Sequence, residues 1–315
     1  MGHVTLRIGI LGAARIVDDG IVEPARALGH EVVALAARDR HRAEVFADER
    51  GIPHVHDGYA DVIADPDVDL VYNALVNSLH TKWNVDALNA DKNVLSEKPL
   101  ASNAAEAALV RQTARATGRT LVEGFHYLHH PISQRLRELV TSGALGEVER
   151  VEVVLAIPGP PDSDPRWSLD LAGGATMDLA CYVLHAARQV GCCTSGEPRA
   201  TSAEATLKSP QIDAGMSVEL RYPDGIVADC RWDMAAAGRT MTWTSSVRRQ
   251  PLRLRRSPCR TWTRPARPPR RRDHRGDARP PDLLRLPARR AGRHARARHA
   301  VPRRHRRLGG KRRAG

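Results

Sequence analysis

Lys98 lies in the stretch Val94-Leu95-Ser96-Glu97-Lys98-Pro99-Leu100, a short apolar run that ends in a Glu-Lys-Pro turn. An ammonium group at the end of a buried strand is costly to desolvate unless a partner or a task holds it there. The proline that follows restricts the lysine backbone toward an extended conformation. A lysine held rigidly at the carboxyl end of a strand, where open α/β sheets bind ligands, is placed for proton chemistry. A surface lysine in a turn would use the same residues. Further along, the pattern after Gly173-Gly174 is helical, which puts Asp178 and Tyr182 on one face at i, i+4, with His185 beside them at i+7. A carboxylate, a phenol and an imidazole on one helical face form an unusual stripe for a core helix. The plainer alternative is Asp178 as a first-turn cap with Tyr182 packed above it.

The segments that must position these groups alternate strictly. Leu6–Leu11 reads as a strand that breaks at Gly12-Ala13-Ala14 and runs into a helix through Arg15 and Ile16. This is where a dinucleotide fold places its phosphate loop, because small residues let the backbone approach the pyrophosphate and the helix N-terminus supplies free amides. Gly12 takes the first glycine of that fingerprint, while Ala14 and Val17 stand where the second and third are usual. Glu31–Ala37 reads as the second strand and ends in Arg38-Asp39-Arg40. An arginine at this point favours a 2′-phosphate, so Arg38, assisted by Arg42, points to NADP. Asp39 keeps NAD open, and a solvated charged turn would look similar. Strands at Asp69–Leu75, Val94–Ser96 and Thr120–Glu123, with helices between them, including Ala104–Thr117, imply a parallel sheet covered on both faces. A helix Ile132–Ser142, a strand Val148–Ile157 and a Pro-, Gly- and Asp-rich loop Pro158–Pro165 follow. From Ala200 the pattern alternates, with a tight Pro223-Asp224-Gly225 turn, and implies antiparallel strands.

The ordered motifs Gly12-Ala-Ala-Arg-Ile16, Ala37-Arg38-Asp39, Asn77-Ser78-Leu79-His80, Glu97-Lys98-Pro99, Glu123-Gly124-Phe125 and His130-Pro131 resemble the Gfo/Idh/MocA oxidoreductases over residues 5 to about 245. The Gly-Gly…Asp178…Tyr182 helix resembles that family too, with Ala180 in place of its common glycine. The resemblance implies an N-terminal Rossmann fold (residues 1–125) and a C-terminal α+β domain with an open, mostly antiparallel sheet (126–247). It implies hydride transfer between a nicotinamide, NADP or else NAD, and a secondary alcohol or carbonyl of a sugar, polyol or dihydrodiol. Lys98, Asp178 and Tyr182 would be the catalytic groups. Gly12, Ala14, Arg15, Ile16, Arg38, Arg42, Asn77, His80, Glu97 and Lys98 would line the cofactor, with His130 and His185 on the substrate side. The alternatives are a catalytically impaired nucleotide-binding protein and a nucleic-acid binder acting through the tail. The His126–His130 segment lacks a matching downstream ligand cluster, so no metal is expected.

No apolar run approaches the length of a bilayer span, the first residues go straight into a strand, and the five cysteines show no framework spacing. A cytoplasmic protein is expected. The net charge of +13 is an average of two unlike parts. Residues 248–315 hold 26 basic and 3 acidic residues, nine prolines and one valine, whereas the rest holds 23 basic and 33 acidic residues. Such a tail cannot bury enough apolar surface to offset chain entropy. It reads as a basic arm that binds nucleic acid non-specifically, as an inert extension, or as GC-rich codons translated out of frame, the reading favoured here. Loss of the closing strands would leave a sheet edge unpaired, which makes a homo-oligomer doubtful. The coding nucleotide sequence across Val247 separates the readings: a shifted frame holds further alternating strands and a closing helix, and a genuine tail does not.

Overall fold

A computed structural model of the chain describes residues 4–144, 146, 148–191, 196–247 and 252–255. The basic segment expected from residue 248 lies outside these, apart from 252–255, as do Cys192, Cys193 and Cys259.

The first sheet has the order β3-β2-β1-β4-β5-β6, all parallel. Its strands are β1 (Arg7–Leu11), β2 (Glu31–Ala36), β3 (His54–Val55), β4 (Leu70–Asn73), β5 (Asn93–Ser96) and β6 (Leu121–Glu123). Between them run α1 (Glu23–Ala27), α2 (Arg40–Arg50), α3 (Tyr59–Ala64), α4 (Asn77–Asn89) and α5 (Ala104–Thr117). Alternation along β1 decides the layers: Ile8 and Ile10 join a core with Val17, Ile21 and Tyr72, and Leu11 joins the opposite core with Val62, Val71, Leu88 and Val110. The chain order reverses between β1 and β4, so the crevice at their carboxyl ends is the ligand position for this topology.

The helices start and stop where side chains satisfy their free ends. Asp39 caps α2 by accepting from the Arg42 amide (2.9 Å), and Asn103 caps α5 by accepting from the Glu106 amide (3.0 Å). After Gly12 the chain is not helical at once. It enters a π-helical turn, Asp18–Val22, and then α1.

The second sheet comprises β7 (Val148–Ala156), β8 (Arg199–Ser209), β9 (Ile212–Arg221), β10 (Val227–Asp233), β11 (Thr240–Val247) and β12 (Leu252–Arg255), in the order β12-β11-β7-β10-β9-β8. β7 and β10 run parallel and the other neighbours antiparallel. One face is covered by α7 (Cys181–Val190) and the π-helical turn Thr176–Ala180, which bury Leu179, Val183 and Val190 against Val151, Leu220 and Trp232. α6 (Pro131–Thr141) lies between the two sheets in sequence. β12 was not expected. It pairs with Thr242–Ser245 of β11, giving that edge a partner beyond the point where the composition changes. Among the described residues no helix is long and apolar enough to cross a membrane.

Burial raises the pKa of all five tyrosines, and it pushes Cys181 up to about 11 and Cys230 up to about 12. In the unfolded chain these groups ionise near their ordinary values, about 8.5 for cysteine and about 10 for tyrosine. The folded state therefore holds more protons there, and stability falls as pH rises. The urea midpoint is expected to stay level from about pH 7 to about pH 8 and to decline steadily above about pH 9. A level midpoint to about pH 11 would contradict this burial.

Candidate active site

The phosphate-loop region begins where β1 ends. Gly12 has φ +99°, and a Cβ there would lie 3.0 Å from Leu75 Cδ2 and 3.3 Å from the Ala74 carbonyl oxygen. Only glycine suits both that dihedral and that approach. Arg42 reaches back from α2 and donates from Nη2 to the Ala13 carbonyl (2.6 Å), which puts a cation against the loop, and exposed Arg38 stands one residue before the cap Asp39. The Asp39 carboxylate is taken up by capping α2. Ala14 is half-buried, and Arg15 and Ile16 are exposed along the rim. A glycine cradle with two cations after the second strand fits a dinucleotide that carries a 2′-phosphate.

Under the Lys98 turn lies a buried polar network. Asn73 Nδ2 donates to Asn84 Oδ1 (2.9 Å), and Asn84 Nδ2 donates to Ser96 Oγ (2.9 Å). Both ring nitrogens of His80 lie against carbonyl oxygens, Nδ1 at 2.7 Å from Pro99 and Nε2 at 3.0 Å from Leu75. Burial holds the His80 imidazole below its ordinary pKa. His80 therefore braces the turn at Pro99. Glu97 accepts a hydrogen bond from Tyr72 Oη (2.7 Å), and Glu123 accepts from the Leu100 amide (2.8 Å). The Lys98–Pro99 peptide is cis. Asn77 donates to the Ala172 carbonyl (2.8 Å), just before the Gly173-Gly174 entry.

Lys98 and Asp178, far apart in sequence, meet here. Lys98 Nζ donates to Asp178 Oδ1 (2.6 Å) and to its backbone oxygen (2.9 Å), with both side chains at least four-fifths buried (15% and 17% exposed). The same ammonium lies 5.2 Å from the centroid of the Tyr182 ring. Asp178 is not a cap. It sits in the π-helical turn that precedes α7, a distortion found often at functional sites. Burial, reinforced by nearby Cys181, Glu97 and Asp178, raises the pKa of Tyr182, so its phenol keeps its proton at neutral pH.

Around Tyr182 packs an aromatic group. Phe125 meets it edge-on at 5.6 Å and stacks on His185 at 4.6 Å, and Tyr127 Oη lies 2.5 Å from His185 Nδ1. Burial lowers the pKa of His185, so the ring that shares this hydrogen bond with Tyr127 is neutral. His185 is thus adjacent to the site through this cluster. His130 is exposed, and its Nδ1 caps α6 by accepting from the Ile132 amide (3.2 Å) instead of joining this cluster. Among the described residues no group of three or more His, Cys, Asp or Glu side chains could hold a metal. Sequence reasoning missed Arg166, whose Nη1 lies 3.6 Å from Asp178 Oδ2, and the Asn73–Asn84–Ser96 network.

Residues 6–125 match the profile of an oxidoreductase family with an NAD-binding Rossmann fold, and residues 133–250 match the GFO/IDH/MocA C-terminal domain. The chain belongs to the GFO/IDH/MocA oxidoreductases. It is 38% identical over 225 residues to D-xylose 1-dehydrogenase (NADP(+)) 2 of Haloferax volcanii, covering 71% of this chain and 68% of that protein. It is 33% identical over 219 residues to trans-1,2-dihydrobenzene-1,2-diol dehydrogenase of Xenopus tropicalis, covering 68% and 64%. Among solved structures it is similar to a 3-ketoreductase from Actinomadura kijaniata in complex with NADP and TDP-benzene, at 29% identity and TM-score 0.72, covering 78% of this chain and 74% of that one. As a member of this family the chain is an NAD(P)-dependent oxidoreductase.

Replacing Asn84 with leucine removes one hydrogen-bond partner from Asn73 and one from Ser96 in a dry setting. Asn84→Leu is expected to lower unfolding stability by about 1–3 kcal/mol in urea titration. An unchanged midpoint would mean that the network does not support the turn.

Proposed function

We propose that this family member, a cytoplasmic enzyme preferring NADP, oxidises or reduces a secondary alcohol or carbonyl carbon of a sugar, polyol or dihydrodiol, with residues 1–125 holding the cofactor and 126–247 the substrate. The observation that carries the reading is the Lys98–Asp178 ion pair at 2.6 Å with Tyr182 beside it. Arg38 and Arg42 support the NADP preference through their place at the loop. When bound, the cofactor accepts or supplies the hydride. Lys98 donates a hydrogen bond to the substrate oxygen and polarises it, an electrostatic contribution that counts for most in a site shielded from water. Tyr182 holds the proton. In reduction its neutral phenol protonates the oxygen and is left as a phenolate favoured by the Lys98 charge; in oxidation the phenol first releases its proton to solvent, and the phenolate then accepts the proton of the substrate hydroxyl. Asp178 orients the ammonium and accepts from neighbouring substrate hydroxyls. The Phe125–Tyr127–His185 group excludes water from one side of Tyr182.

The Actinomadura kijaniata 3-ketoreductase has been crystallised as lysine variants and a tyrosine variant, at two positions whose separation along the chain equals that of Lys98 and Tyr182. This parallel supports the pairing. In the full-length chain assayed with NADP(+) and D-xylose or trans-1,2-dihydrobenzene-1,2-diol, Lys98→Met is expected to lower kcat by about a thousandfold or more. NADPH affinity, read by cofactor fluorescence, should stay within about twofold, because uniform binding is not what the lysine supplies. Turnover by Lys98→Met close to that of the parent chain would end the assignment.

A further inference from the structure

We propose that Arg166 is a positioning residue, which clamps the outer oxygen of Asp178 so that the inner one stays on the Lys98 ammonium. Arg166 lies in the short turn Pro165–Trp167, on the loop that precedes the Gly-Gly entry. Its guanidinium is fixed by Asp164: Nε donates to Oδ1 at 2.9 Å and Nη2 to Oδ2 at 3.0 Å, while its backbone amide donates to Oδ1 at 3.0 Å. That fork leaves Nη1 facing Asp178 Oδ2 at 3.6 Å. The loop is locked to the helix entry as well. The Arg166 carbonyl accepts from the Gly174 amide (2.8 Å), and a Cβ on Gly173 would come within 2.5 Å of that oxygen.

Each oxygen of the Asp178 carboxylate thus has its own cation, Lys98 on Oδ1 and Arg166 on Oδ2. The terminal torsion of an aspartate is broad and roughly two-fold, so a carboxylate held on one side only can rotate away from the geometry that serves the lysine. A second cation pins it. It also shares the negative charge, leaving the Lys98 ammonium less completely neutralised and better able to polarise a substrate oxygen. A lysine at 166 would keep the charge but lose the planar fork that holds Asp164 and Asp178 together.

The inference rests on Lys98 being the group that polarises the substrate oxygen, and its test separates the two. In the full-length chain Arg166→Gln is expected to lower kcat about ten- to a hundredfold with the KM for NADP within about twofold, and Arg166→Lys to recover part of the loss. Placed in an Asp178→Asn background, Arg166→Gln should cost nothing further in kcat and less Tm than it costs in the parent chain, the remainder being the bonds to Asp164 that it loses in either background. Losses that add in either readout, or an unchanged kcat in Arg166→Gln, overturn the proposal. If Arg166→Gln does not fold, Asp164→Asn, which releases the fork without removing it, is read in the same way. The Tm comparison needs no substrate. A chain inactive on every sugar and diol would therefore sink the enzyme reading while the Tm cycle still decides the role of Arg166.

Discussion

The Lys98 ammonium on the Asp178 carboxylate ties the parallel sheet to the second sheet's helical layer at the point where chemistry is expected. Both side chains are at least four-fifths buried. Neither would be stable there alone, because stripping water from a lone charge is costly, and removing one partner of such a pair typically costs about 3–5 kcal/mol. The contact therefore constrains both halves. The end of β5 must aim its lysine outward from the crevice, and the turn before α7 must bring a carboxylate to meet it.

The surroundings meet that constraint by different means on each side. Below the lysine, Asn73, Asn84 and Ser96 bond one another and the His80 ring lies against the Pro99 and Leu75 oxygens, so that a buried polar layer becomes a rigid support. Beside it, Phe125, Tyr127 and His185 enclose Tyr182 with aromatic surface. Desolvation keeps the phenol protonated, which suits a group that must hold a proton until the substrate oxygen develops charge. Gly12, at the head of the same crevice, lets the loop pack against Leu75 and Ala74 where a side chain would collide.

Much of this was legible from residue order, for identifiable reasons. The alternation of strands and helices through residue 123 and the Pro223-Asp224-Gly225 hairpin follow from hydrophobic period and turn chemistry, both local properties. Lys98, Asp178 and Tyr182 stood out because polar groups interrupt apolar patterns there. That Asp178 occupies a π-helical turn was not legible, since a helical pattern does not distinguish four-residue from five-residue spacing. That the His80 ring meets the Pro99 and Leu75 carbonyl oxygens was not legible either, because sequence spacing assigns a face only after the helix has been docked. Arg166 escaped notice because an irregular loop has no period, and its partners Asp164 and Asp178 are joined to it only in three dimensions. Strand β12, Leu252-Arg253-Leu254-Arg255, does alternate, but four residues at the head of an arginine-rich segment are too few to stand out from its composition.

Zero-length carbodiimide coupling of the full-length chain, read by peptide mass spectrometry, tests the central contact most directly. The exposed pair Lys208–Asp162, at 2.7 Å, is the internal standard. The account predicts an isopeptide between Lys98 and Asp178 alongside that of the standard pair, lost in Asp178→Asn. Coupling of Lys98 to a carboxylate outside the Thr176–Ala180 turn, with Lys208 joined to Asp162, would contradict it.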